Sequence, residues 1–191
     1  MSSESSTDLF KMLPAERKAA MWLASIYALR MFGMFMILPI FAVHAATMPG
    51  GDNVSLIGLA MGIYGLTQAL MQIPLGWASD KLGRRPVILG GLLVFALGCW
   101  MGWAADSVTE LVIARALQGT GAISAALSAY LADVTRDEVR SKGMAMIGAS
   151  IGMTFAISLV AAPVLYEFFG LDGLFGLTGV LAILAVGAVI W

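Results

Sequence analysis

Arg30 and Arg115 are the two residues most at odds with their neighbours, because each lies inside a long apolar stretch of the sequence. Arg30 is about ten residues in from the polar N-terminal flank and Arg115 about seven in from the flank before it. A charge near the centre of a membrane-crossing helix costs about 2.5–3.5 kcal/mol on insertion scales, so each must face the protein interior or a wet cavity and meet a partner. Two partners fit: an anion held in a central cavity, or a structural counter-charge such as Glu110, which precedes Arg115 by five residues. Tyr64, Gln68 and Gln72 recur at i, i+4 and i+8 and therefore form one polar stripe along a helix. Such a stripe faces either another helix or water, since lipid would leave its amides unsatisfied. Gln118 follows Arg115 by three residues, shares its face and can orient it.

A second set lies at the ends of the apolar stretches. Asp80 and Asp133 each follow the last turn of a helix whose dipole disfavours an anion there by about 0.3–1 kcal/mol. They call for cations or for the N-terminus of another helix. Arg84, Arg85, Arg136 and Arg140 are close in sequence, while Gly76 permits close approach and Gly83 a tight reversal. These basic loops either serve topology alone or form a charge-paired latch with the two acids. The inventory excludes other chemistry. One cysteine (Cys99) and one histidine (His44) supply neither a disulfide nor a metal cluster, nor a nucleophile and base at depth, so no enzyme, metal or cofactor is expected.

The elements that must position these residues follow from composition. Of 191 residues 60% are hydrophobic and 12% charged, with a mean hydropathy of +0.89, far from the roughly 25% charged residues of a soluble domain. At roughly 20 residues per crossing, six apolar stretches are expected as transmembrane helices, at 20–44, 57–78, 86–105, 108–132, 143–166 and 171–191. Residues 1–19 form a polar tail that enters the interface as a helix from Pro14. Val43 and Ala45 imitate a signal cleavage site, but Arg30 and the segment's length mark an uncleaved span. Lysine and arginine outside the spans occur only in the tail and in the second and fourth loops, which the positive-inside rule places in the cytoplasm with both termini. Gly58, Gly62, Gly65, Gly119, Gly121, Gly148 and Gly152 are expected to let helices pack closely, with the 13 methionines as adaptable filler.

Gly76-Trp77-Ala78-Ser79-Asp80-Lys81-Leu82-Gly83-Arg84-Arg85 resembles the loop signature of the major facilitator superfamily, and it lies between the second and third helices as in that family. Arg115-Ala116-Leu117-Gln118-Gly119-Thr120-Gly121-Ala122 resembles the fourth-helix motif. The stretches 29–41 and 62–76 are similar to the YajR-type inner-membrane proteins of the drug and proton antiporter branch. In the fifth stretch the antiporter pattern has Gly-Pro followed by paired glycines, where this sequence has Ala162-Pro163 and then Tyr166-Glu167.

The resemblance implies an all-α membrane protein, the N-terminal six-helix bundle of a major facilitator fold built as two inverted three-helix repeats. It further implies alternating access and proton-coupled efflux of a small molecule. Asp80 would meet a helix of the second half, Arg84 and Asp133 would extend this into a charge relay, and Arg115 would lie in the region linked to proton coupling. Arginine stays protonated, so neither Arg30 nor Arg115 carries the proton itself. The expected partners are the bilayer of a bacterial inner membrane, a small substrate with protons, and the missing C-terminal half or a second copy; nucleic acid is not expected. The rival reading is a self-associating six-helix channel or scaffold.

Overall fold

Local chemistry sets the helix ends. Pro14 opens α1 (Pro14–Ala45) at a position whose N–H is not needed, and the Glu16 carboxylate accepts the Leu13 N–H at 2.7 Å. Asn53 caps α2 (Val54–Leu82), its side chain accepting the Leu56 N–H at 3.2 Å. Gly83 alone joins α2 to α3 (Arg84–Trp103), and its φ of 94° is one that glycine adopts without strain. Ser107 and Glu110 cap the start of α4 (Val108–Thr120) reciprocally, Ser107 accepting the Glu110 N–H and Glu110 the Asp106 N–H. Two further helices follow, α5 (Ser124–Val134) and α6 (Asp137–Ile190). The computed structural model describes residues 11–190, and none of them forms a strand.

Five helices, α4 and α5 counting together as one, are long and apolar enough to cross a membrane, not the six expected. The difference lies at 167–170, between the fifth and sixth expected spans, where helix is found on both sides of one residue. α6 has 54 residues, which as a straight rod would span about 80 Å against about 30 Å of hydrocarbon. Its backbone leaves helical geometry at Gly170, with φ 66° and ψ −176°, a region essentially confined to glycine, so two helical arms, 137–169 and 171–190, meet there.

α1 lies chiefly along α6, α2 along α4, and α3 bridges α4 and α6. The inside is apolar, with Phe95, Phe175, Ile88 and Leu92 fully buried, yet so is much of the outside: Ile73, Val160 and Phe168 are each more than 75% exposed. Water would not tolerate such a surface; a bilayer does.

The expected glycines separate into two kinds. A Cβ on Gly119 would stand 1.9 Å from Thr67 Oγ1 and 2.3 Å from the Tyr64 carbonyl, and one on Gly121 2.4 Å from the Gly91 carbonyl. These two let α4 touch the backbones of α2 and α3. Gly58, Gly62, Gly65, Gly148 and Gly152 would meet nothing within 4 Å. Their expected packing role is not fulfilled within this chain: they lie on faces of α2 and of the first arm of α6 that no other helix here covers.

Candidate functional site

The stripe on α2 brings both buried arginines to one phenol. Arg30 on α1 is fully buried and donates from Nη2 to the Tyr64 hydroxyl at 3.1 Å, with its guanidinium 4.9 Å from the Phe95 ring centre. Arg115 on α4, 2% exposed, holds its guanidinium carbon 4.5 Å from the Tyr64 ring centre and 5.8 Å from that of Phe41. Two cations therefore share Tyr64, one through its oxygen and one through its π face. Gln118 orients the second, as its position predicts: its Oε1 accepts from Arg115 Nη1 at 2.9 Å. Its Nε2 donates to Cys99 Sγ at 3.0 Å, and Gly98 makes room, since a Cβ there would stand 2.6 Å from the Gln118 nitrogen.

No carboxylate answers these charges. Among the described residues, Asp80 and Asp133 pair with Arg84, Glu16 with Arg136 and Asp137 with Arg140, none of them with Arg30 or Arg115. Glu110, the structural partner considered for Arg115, caps α4 instead. Arg30 Nε and Nη1, Arg115 Nε and Gln68 Oε1 are buried without a hydrogen-bond partner. An unpaired polar group in a dry interior costs on the order of 1–3 kcal/mol, and a charged one more, so the cluster is strongly under-satisfied. Gln72 leaves the stripe's common purpose: its Oε1 accepts the Ala125 N–H at 3.0 Å, satisfying one of the free donors at the start of α5.

At the end of the bundle bearing the basic loops, Arg84 gathers both unfavourably placed acids. It donates from Nε to Asp133 at 2.8 Å, from Nη1 to Ser79 Oγ at 2.8 Å, and it pairs with Asp80. Ser79 donates in turn to the Gly76 carbonyl at 2.7 Å. A Cβ on Gly76 would make ordinary contact with Ala125 at 3.6 Å, so this glycine is not a point of forced approach. The other cations do not join. Arg85 donates to the Tyr130 hydroxyl at 3.2 Å, Arg140 pairs with Asp137, and Arg136 turns to Glu16.

The Glu16–Arg136 clamp escapes a reading of the sequence, because its partners are 120 residues apart. Glu16 accepts Arg136 Nε at 2.9 Å, Nη2 at 3.2 Å and the Arg136 N–H at 3.0 Å. It lies in the first turn of α1, ahead of the expected span. The Arg136 side chain first, then the Arg136 and Leu13 N–H groups, hold its carboxyl down at about 2 against the opposition of burial. A depressed carboxyl stabilises the fold above its unfolded value and loses that contribution as pH falls through the folded one. Wild type is therefore expected to melt above Glu16→Gln by a constant margin from pH 7 to about 5, narrowing steadily from about 4.3 towards 2. A margin unchanged at pH 2 in paired calorimetric scans, or gone already at pH 5, would contradict this account of Glu16.

The profile of the Major Facilitator Superfamily matches residues 23–191. This chain belongs to that superfamily. It is 47% identical over 182 residues to the inner membrane transport protein YajR of Escherichia coli K12, covering 95% of this chain and 40% of that protein. The class E tetracycline resistance protein of Escherichia coli is 33% identical over 140 residues, covering 72% of this chain and 34% of that one. Among solved structures, the human organic anion transporter MFSD10 superposes with a TM-score of 0.78 at 20% identity, covering 93% of this chain and 47% of that one, a likeness of fold alone. The chain thus spans less than half the length of these superfamily members. Like them it is a multi-pass membrane protein, and its relatives are transporters.

Proposed function

We propose that this chain is the N-terminal half of a secondary transporter of the bacterial inner membrane that exports a small molecule in exchange for protons. The chain would cross the membrane six times, the arms of α6 each crossing once, as two inverted three-helix repeats with both ends in the cytoplasm. One observation carries the reading: two fully desolvated arginines converge on Tyr64 with unspent donors and, among the described residues, no acid beside them. A charge cluster left incomplete by its own chain suits a site completed by something else, either an anionic substrate group or an acid from a second bundle. The coupling proton must then reside on another group, since Asp80, Glu110, Asp133 and Glu167 all stand near helix ends. The Arg84 cluster would be the cytoplasmic gate, holding the ends of α2, α3 and α5 together in one state and parting in the other. The uncovered glycines of α2 and α6 offer the second half its seat.

Reconstitution tests this. The chain in proteoliposomes is expected to insert and to transport nothing, and co-assembly with a C-terminal six-helix half is expected to give substrate-dependent proton movement. Transport by the chain alone, at the rate of a complete carrier, would favour the self-associating reading and overturn the half-transporter one.

A further inference from the structure

The end of the bundle that holds the Arg84 cluster also holds a groove whose residues take no part in it. Lys18, Ala19, Trp22 and Leu23 of α1 form one side, and Arg85 of α3 with Tyr130 of α5 the other, around about 340 Å³. Its charges are uncompensated. Arg84, Arg136 and Arg140 are matched by carboxylates, whereas Lys18 and Arg85 enter no ion pair among the described residues. Arg85 is nonetheless held in place: Nε donates to Tyr130, and its guanidinium carbon lies 5.9 Å from the Trp22 ring centre. Trp22 and Tyr130 meet edge to face at 6.1 Å, and Trp22 Nε1 donates to the Ala188 carbonyl at 3.1 Å. The guanidinium's two outer nitrogens thus remain available on a positioned fork. Arg85 also stands in the first turn of α3, which has no acid and no capping side chain, so cations sit at the positive end of a helix dipole. An anion there would relieve both.

The walls say which anion. Ala19, Trp22 and Leu23 are apolar, and a tryptophan beside a tyrosine is the pairing found at headgroup depth in a bilayer. We propose that this groove binds an anionic phospholipid, its phosphate headgroup on Lys18 and Arg85 and one acyl chain along Ala19, Trp22 and Leu23. Basic pockets between transmembrane helices take such headgroups, each nearby cation contributing roughly a fivefold factor in affinity. The proposal rests on the reading that this end of the bundle lies at a membrane surface, but not on transport, so its test can fail while that of the transporter succeeds.

The delipidated chain in neutral detergent is offered equal amounts of phosphatidylglycerol and phosphatidylcholine, and retention is read by native mass spectrometry. Wild type is expected to keep phosphatidylglycerol at least about tenfold better. Lys18→Gln with Arg85→Gln, both at exposed positions, should bring the two lipids level. Phosphatidylglycerol with brominated chains should quench tryptophan fluorescence in wild type, and Trp22→Phe should lose most of that quenching. Equal retention of both lipids by wild type, or an undiminished preference in the double variant, overturns the proposal. Displacement of the lipid by millimolar inorganic phosphate would make this a soluble-anion site and overturn it as well.

Discussion

Replacing Arg115 by methionine is expected to abolish transport by the complete carrier while leaving this bundle as stable as before, or more so. The two effects have opposite origins. Arg115 is 2% exposed and lacks any carboxylate within the described residues, so the folded chain bears the cost of a desolvated charge. A side chain of similar length without charge removes that cost, and exchanges of buried ionic groups for apolar ones are often neutral or stabilising by about 1–4 kcal/mol. Transport should suffer because the lost group is the one offered to an anion: truncating one side of a buried charge pair costs about 2–5 kcal/mol, or roughly 30-fold to several thousand-fold. Arg115→Lys should not rescue it. A single ammonium cannot both lie over the Tyr64 ring and reach Gln118 Oε1, as the guanidinium does. Arg30→Met should behave alike. Melting curves of the purified chain and flux through the reassembled carrier decide the matter together; a variant that unfolds at lower temperature would show that Arg115 is a structural brace.

On the gate reading proposed above, removing Arg84 should shift the complete carrier between its inward and outward states. Arg84→Ala leaves Asp80 and Asp133 without their common cation, each at a helix end whose dipole already opposes an anion. The acids are 62% and 52% exposed, which limits each pair to about 0.2–1 kcal/mol. Loss of both should move the balance of states by about twofold to thirtyfold, and Asp80→Asn by less, because Asp133 and Ser79 still hold the guanidinium. Spin labels at the ends of α2 and α5 that carry Asp80 and Asp133 would report the distance distribution in the complete carrier. If Arg84→Ala leaves that distribution and its response to substrate as they were, the cluster is no gate.

What the sequence made legible was what depends on one helix at a time. A charge within an apolar run has to be buried wherever the helix goes, so Arg30 and Arg115 could be picked out without coordinates, and the helical repeat placed Tyr64 and Gln118 on useful faces. Partnership between helices was not legible. Gln72 has the same spacing as Gln68 yet binds the start of α5, and Arg85 is next to Arg84 yet turns to Tyr130. Glycines show the limit most sharply: Gly119 meets three residues of α2 where Gly62 meets none, and nothing in their local sequence separates them. Cys99 and Phe95 entered the site as ordinary apolar residues of a span. The break between the last two expected spans was drawn too wide, because a helix end was expected to need several loop residues, whereas Gly170 alone leaves helical geometry there.

That economy at Gly170, and again at Gly83, fixes something else: where the chain can change length. One residue added to or removed from a helix turns everything beyond it by about 100°. Within α6 such a change would rotate Phe175, Thr178 and Ala182, all fully buried, away from their places. Between Asp137 and Ile190 only Gly170 leaves the helix, so no slack exists to absorb the turn. Residues 46–53 and 104–107 are the longest non-helical segments between the described helices. Insertions and deletions in natural variants of this protein should gather there, and a tag or cleavage sequence introduced for biochemical work belongs there too.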